Sequence, residues 1–179
     1  ENGAFLGISV SAAGDVNGDL YADVIVGAMQ YAEGDHGIAL VWHGSANGVN
    51  NDVNGTPDNA AWNFVGAVDG AHAGRSVSTA GDVNGDGWAD VIVGSPHYSE
   101  WEAYEGAAYL FLGSASGLQW AADNWDQGNS DNAWFGQSVA AAGDVNGDGY
   151  ADVVVGAPLY SNDQFEEGRA FLWYGSASG

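Results

Sequence analysis

Gly14-Asp15-Val16-Asn17-Gly18-Asp19 recurs unchanged as Gly81–Asp86 and again as Gly143–Asp148. The leading aspartates Asp15, Asp82 and Asp144 stand 67 and then 62 residues apart. Upstream, each copy is preceded by Gly-x-Ser-Val, at Gly7–Val10, Gly74–Val77 and Gly136–Val139. Downstream, each runs into Ala-Asp-Val-x-Val-Gly, at Ala22–Gly27, Ala89–Gly94 and Ala151–Gly156. An apolar run then closes each copy on Gly-Ser-Ala, over Gly37–Ala46, Gly106–Ala115 and Gly168–Ala177. Four blocks aligned three times at a period near 60 residues mark a repeat architecture.

Within a copy the pattern is β throughout. Ile8–Ala13 and its equivalents alternate small and apolar residues. Val24–Val26, Val91–Val93 and Val153–Val155 are β-branched runs bounded by Gly, as short buried strands are. Ile38–Trp42, Ala107–Leu112 and Ala170–Tyr174 read as third strands, with weaker fourth strands near Ala61–Val65 and Trp120–Trp125. No window carries capped helical periodicity. Four short antiparallel strands per repeat describe a β-propeller blade. The inner strands use small residues where they crowd toward the axis, and the outer ones carry Trp and Phe. A β-sandwich with a duplicated hairpin is the alternative all-β reading.

The expected blades span residues 1–68, 69–130 and 131–179, the last without its own fourth strand. Three blades are too few to close a ring that needs at least four. An open row would expose large apolar faces. The chain is therefore expected to be a segment of a longer propeller, or one half of a homodimer that makes six blades. Glu1 in place of Met favours the segment.

Charge narrows the partners. Two Arg, no Lys and 24 Asp plus Glu leave a net charge of −22. Nucleic-acid binding needs cations to displace counterions from phosphates, and Arg75 and Arg169 cannot supply them. An acidic chain can be disordered, but 46% apolar and 12% aromatic residues support a packed fold. No apolar run approaches the roughly 20 residues of a membrane span. With no Cys there is neither a disulfide framework nor thiol chemistry.

The loop between the first and second strands reads Asp-x-Asn-x-Asp-x-x-x-Asp in every copy. Its candidate ligands are Asp15, Asn17, Asp19 and Asp23; Asp82, Asn84, Asp86 and Asp90; and Asp144, Asn146, Asp148 and Asp152. The seventh-position carbonyls of Tyr21, Trp88 and Tyr150 complete each set. Such hard oxygens suit Ca²⁺, which takes 6–8 of them in flexible geometry, better than the smaller octahedral Mg²⁺. Three carboxylates within nine residues repel one another unless a cation is present. Gly87 and Gly149 permit the sharp turn at the sixth position, where the first copy has Leu20. The competing reading is an Asx-rich turn without metal. Asp52-Val53-Asn54-Gly55-Thr56 imitates the motif elsewhere in the repeat and reads as a loop.

Trp134-Phe135-Gly136, then Gly143–Asp152, then Val155-Gly156-Ala157-Pro158 resembles the FG-GAP repeat of integrin α-subunit propellers and of bacterial extracellular proteins. The resemblance covers essentially the whole chain. It implies a propeller with Ca²⁺ in the first hairpin loop of each blade, about three per chain, and a secreted or cell-surface location. Blade 1 departs with Phe5-Leu6-Gly7 and Ala28-Met29, and blade 2 with Ala73-Gly74 and Ser95-Pro96. None of these changes touches a ligand position.

Metal-assisted hydrolysis is the enzymatic alternative, but calcium loops saturated by protein oxygens are structural more often than catalytic, so a non-catalytic chain is expected. His36, His43, His72 and His97 occupy four non-equivalent repeat positions and read as surface or loop substitutions. Acidic pairs such as Glu100/Glu102 and Glu166/Glu167 read as solvated loop residues rather than acid–base partners. Strand order places the calcium loops on one rim and the second-to-third and inter-blade loops on the other. That second rim carries Tyr98, Trp101 and Tyr104, aromatics that suit a glycan or a protein partner. Two classes stay open: an adhesion or interaction propeller, and a carbohydrate-binding module serving a secreted enzyme. A duplicated or consensus sequence selected mainly for folding and self-assembly is a third.

Overall fold

The computed structural model describes residues 3–49, 54–122 and 124–179. The strands are β1 (Ser9–Gly14), β2 (Asp23–Ala28), β3 (Ile38–Trp42), β4 (Trp62–Val65), β5 (Ser76–Gly81), β6 (Asp90–Ser95), β7 (Ala107–Phe111), β8 (Asn124–Gln127), β9 (Ser138–Gly143), β10 (Asp152–Ala157) and β11 (Arg169–Trp173). They form three antiparallel meanders, β1–β4, β5–β8 and β9–β11. A 3₁₀ turn at Pro57–Asn59 lies in the long loop before β4, and the described residues contain no α-helix. The fold is all-β, with three propeller blades.

Pairing registers show why the repeat is so regular. Val24–Ala28 pairs residue for residue with Ile38–Trp42, and Val91–Ser95 pairs likewise with Ala107–Phe111. A bulge interrupts β1–β2 between Ala12 and Gly14, and β5–β6 between Thr79 and Gly81. Gly14 and Gly81 both have φ 82°, which a bulge of this kind demands. The bulge turns the chain into the acidic loop. The second fourth strand lies at Asn124–Gln127, a little beyond the expected stretch, because Leu110 and Ala107 of β7 pair with Asn124 and Gln127. Asp52 and Val53 lie outside the described residues, and Asn54–Thr56 lead into the 3₁₀ turn.

The blades stand side by side, β1 beside β5 and β5 beside β9. Ser9 Oγ donates to Gly74 O and Ser76 Oγ to Gly136 O, each at 2.8 Å, tying each first strand to the segment that leads into the next blade's first strand. One apolar cluster, with Ile25, Val41, Trp62, Val93, Tyr109 and Phe111, fills the space between blades 1 and 2. A second, with Val83, Ile92, Phe135, Val153 and Val155, fills that between blades 2 and 3. A third is local to blade 1, where Val49 and Ala60 of its own long loop cover Ile38, Leu40 and Trp42. The structure contains no helix long and apolar enough to cross a membrane among the described residues.

Candidate metal centres

The three acidic loops share one hydrogen-bond plan. In blade 1, Asp15 Oδ1 accepts from the amides of Gly18 (2.7 Å) and Asp19 (3.0 Å), and Oδ2 from Leu20 (2.8 Å). Asn17 Oδ1 accepts from Asp19 N, and Asn17 Nδ2 donates to Asp19 Oδ2 at 3.0 Å. Asp19 Oδ1 accepts from Tyr21 N at 2.9 Å. Asp82, Asn84 and Asp86 repeat this in blade 2, closing on Trp88 N, and Asp144, Asn146 and Asp148 repeat it in blade 3, closing on Tyr150 N. These amide contacts hold the Asp19 and Asp144 carboxyls below their ordinary range: Tyr21 N is the main cause for Asp19, and Gly149 N for Asp144.

The ninth position is different in kind. Asp23, Asp90 and Asp152 are fully buried at the start of each second strand. Asp23 takes Val16 N on Oδ2 (2.9 Å) and Gly44 N on Oδ1 (2.7 Å). Asp90 takes Val83 N and Gly113 N, and Asp152 takes Val145 N and Gly175 N. Each of these residues therefore ties the acidic loop to the turn after the third strand. Burial nonetheless pushes the Asp90 carboxyl up to about 6, with the Asp86 and Asp82 charges adding to the rise. Asp23 is raised for the same first reason.

Five oxygens per loop, namely three carboxylates, an amide and the carbonyl at position seven, form a set of hard donors that fits a calcium-type cation. A buried Asp90 with two anionic neighbours and no basic group among its hydrogen-bond partners fits one as well. Backbone amides, with one Asn-to-Asp side-chain bond per loop, also satisfy these side chains as an Asx turn does. Among the described residues, no three acidic or histidine side chains converge on one point within ligating reach. At position six, Leu20 adopts φ 71°, where Gly87 and Gly149 have 92° and 96°. The first loop thus keeps the left-handed turn at the expense of strain.

On the opposite rim, Trp101 and Tyr104 are exposed and Tyr98 is not. Tyr98 packs edge-on to Tyr109, and its hydroxyl donates to Glu100 at 2.9 Å. Trp101 and Tyr104 border a groove of about 590 Å³, together with Asp69, His72, His97 and Glu100. His72 and His97 stack with ring centroids 4.5 Å apart, and His97 also meets Tyr104 and Trp134. Burial lowers the affinity of both imidazoles for a proton. This cluster is not legible in the repeat alignment, since His72 and His97 occupy different repeat positions. The signal that could find it is topological: an inter-blade loop and a second-to-third-strand loop share one rim.

Comparison with known proteins places the chain. The FG-GAP repeat model matches residues 6–42, 73–111 and 135–173. Mouse integrin alpha-8 is 31% identical over 181 residues, covering 98% of this chain and 15% of its own length. Human integrin alpha-7 is 39% identical over 108 residues, covering 59% of this chain and 8% of its own, and mouse integrin alpha-3 is 38% identical over 117, covering 62% and 10%. The chain thus spans less than a sixth of these relatives. The chain belongs to the FG-GAP repeat family, as an integrin-like propeller of three repeats.

Proposed function

We propose that this chain is a calcium-stabilised propeller segment that serves as a non-catalytic extracellular adhesion or interaction module. Its blades are taken as residues 1–68, 69–130 and 131–179, each holding one Ca²⁺ in its first hairpin loop. The ligands are Asp15, Asn17, Asp19, the Tyr21 carbonyl and Asp23, with Asp82, Asn84, Asp86, Trp88 and Asp90, and with Asp144, Asn146, Asp148, Tyr150 and Asp152. When bound, the cation offsets the clustered carboxylate charge. The protein's own part is to present the loop: Asp23, Asp90 and Asp152 tie it to the third-strand turn, and the bulge glycines aim it. Resemblance to integrin α chains supports the adhesion role and the cell-surface location.

The observation that carries this reading is the threefold identity of the loops, in ligand types and in hydrogen bonds, over blades whose other loops differ. Trp88, Tyr21 and Tyr150 sit within the loops and can sensitise bound Tb³⁺. We expect three Tb³⁺ per chain, displaced by Ca²⁺, and one fewer in Asp82→Ala/Asp86→Ala. Unchanged stoichiometry in that variant would exclude these ligands.

The exposed Trp101 beside an acidic groove supports a second reading, a glycan ligand stacked on the indole. Sugar binding on an array that Trp101→Ala abolishes would favour it, and a protein ligand insensitive to that change would favour adhesion. Val10 and Leu172, exposed on the outermost blade faces, suit contact with further blades, whether of a longer propeller or of a second copy.

A further inference from the structure

The geometry points to coupling between neighbouring acidic loops, such that filling one loop raises the calcium affinity of the next. The inference rests on the calcium reading proposed above and adds to it how the sites communicate. One peptide unit stands between the loops of blades 1 and 2. Ala89 N donates to Asp15 O at 3.0 Å, so the amide side of the Trp88–Ala89 peptide holds the first residue of the blade 1 loop. The peptide is trans, which sends the Trp88 carbonyl away from Asp15. That carbonyl is the seventh-position ligand assigned to the blade 2 loop. Tyr150–Ala151 stands between the loops of blades 2 and 3 in the same way, with Ala151 N on Asp82 O at 2.9 Å.

A second link joins the buried ninth-position aspartates. Asp23 Oδ2 accepts from Val16 N at 2.9 Å, and Val16 O accepts from Ser114 N at 3.1 Å. The adjoining amide, Gly113 N, donates to Asp90 Oδ1 at 2.8 Å. Hydrogen bonds through Val16 and the Gly113–Ser114 turn therefore connect a ligand of the first loop to a ligand of the second. Val83 and the Gly175–Ser176 turn connect Asp90 to Asp152 likewise. Side chains close the same gap. A Cβ on Gly18 would strike the Trp88 indole and one on Gly85 the Tyr150 ring, so each aromatic lies against the preceding loop.

These contacts set the sign of the coupling. The three carboxylates of a loop repel one another when no cation offsets them, which favours a looser loop. A loop drawn closed fixes its seventh-position peptide and its ninth-position aspartate, and both are linked to the loop before it. The neighbour then closes with less conformational entropy left to lose. Polarised at its oxygen, the Trp88–Ala89 peptide is also a stronger donor to Asp15 O. Charge alone works the other way, because a loop of three aspartates passes from −3 to −1 on loading and attracts the next cation less. That opposition is screened over about 8 Å at physiological salt, whereas the hydrogen bonds are not. By reciprocity, the second loop raises the affinity of the first by the same factor.

Calcium titration followed by ¹⁵N NMR reads the loops separately, through the sixth-position amides of Leu20, Gly87 and Gly149, which donate to Asp15, Asp82 and Asp144. Asp19→Ala, which disables the first loop, is expected to raise the calcium concentration at the Gly87 midpoint about fivefold or more at physiological salt. Asp148→Ala, which disables the third, is expected to do the same from the other side. Either variant leaves the disabled loop more negative than a loaded one, so charge alone would move the Gly87 midpoint to lower calcium. In a Trp88→Ala background, which keeps the backbone ligand, the Asp19→Ala shift is expected to shrink. A Gly87 midpoint that stays in place or moves to lower calcium in both loop variants overturns the coupling and leaves the calcium reading standing. No calcium response at any of the three amides overturns the calcium reading, and the coupling with it.

Discussion

Leu20 is the residue at which the blade 1 loop differs most from its sisters. It holds a left-handed φ of 71° with its side chain in solvent, so it bears backbone strain with no burial in return. Such a conformation costs about 1–3 kcal/mol, against roughly 0.4–1 kcal/mol of unfolded-state entropy that glycine adds. Leu20→Gly should therefore stabilise the chain by about 1 kcal/mol in urea unfolding; a neutral or destabilising result would remove the strain account. The histidines separate by environment. His36 lies 2.7 Å from both Gly66 O and Asp69 Oδ1, and these contacts, the carbonyl first, raise its affinity for a proton. Its contribution to stability is present in acid and is lost as pH rises through its folded value. His72 and His97 are lowered by burial, so theirs is present above the unfolded value of 6.5 and fades as pH falls. NMR titration should place His36 above 6.5 and both stacked imidazoles below it; the reverse order would contradict the assigned contacts.

At the scale of elements, the fourth strand of blade 1 adds the outer part of the first blade junction, beyond the inner-strand contact of β1 with β5. Trp62 of β4 is buried against Phe111 of β7, and its indole N–H donates to Gln119 O at 2.7 Å. Removing such a ring leaves a cavity and an unpaired carbonyl, so Trp62→Ala should cost about 3–5 kcal/mol in chemical denaturation. A loss under ~1 kcal/mol would mean that β4 contributes little to the junction. What the sequence makes legible follows from how each element is specified. Ile38–Trp42 is read to the residue because a β-branched and apolar run bounded by Gly specifies it locally. Asn124–Gln127 is not, because Asn, Asp and Gln carry little strand preference and β7 sets the pairing instead. The hydrogen-bond plan shared by the three acidic loops is legible because it recurs with the spacing of their Asp and Asn. The burial of Tyr98 and the stacking of His72 on His97 are not, since both arise from blades meeting in space.

At the scale of the whole molecule, the net charge of −22 gains an anatomy. Nine of the 17 Asp lie in the three loops, and three Ca²⁺ would offset six negative charges. The remaining excess keeps the chain soluble but works against compactness through self-repulsion. Chelation is therefore expected to lower the melting temperature most at low ionic strength, where that repulsion is least screened. A chelator effect indifferent to salt would separate the charge from the stability. The central claim, one Ca²⁺ per blade loop, is tested most directly by calcium titration calorimetry paired with thermal unfolding. Binding of three Ca²⁺ per chain is predicted, with a rise in melting temperature equivalent to about 2.7 kcal/mol for each site held at a hundredfold excess over its Kd. No heat of binding and an unmoved melting temperature at millimolar calcium would contradict it.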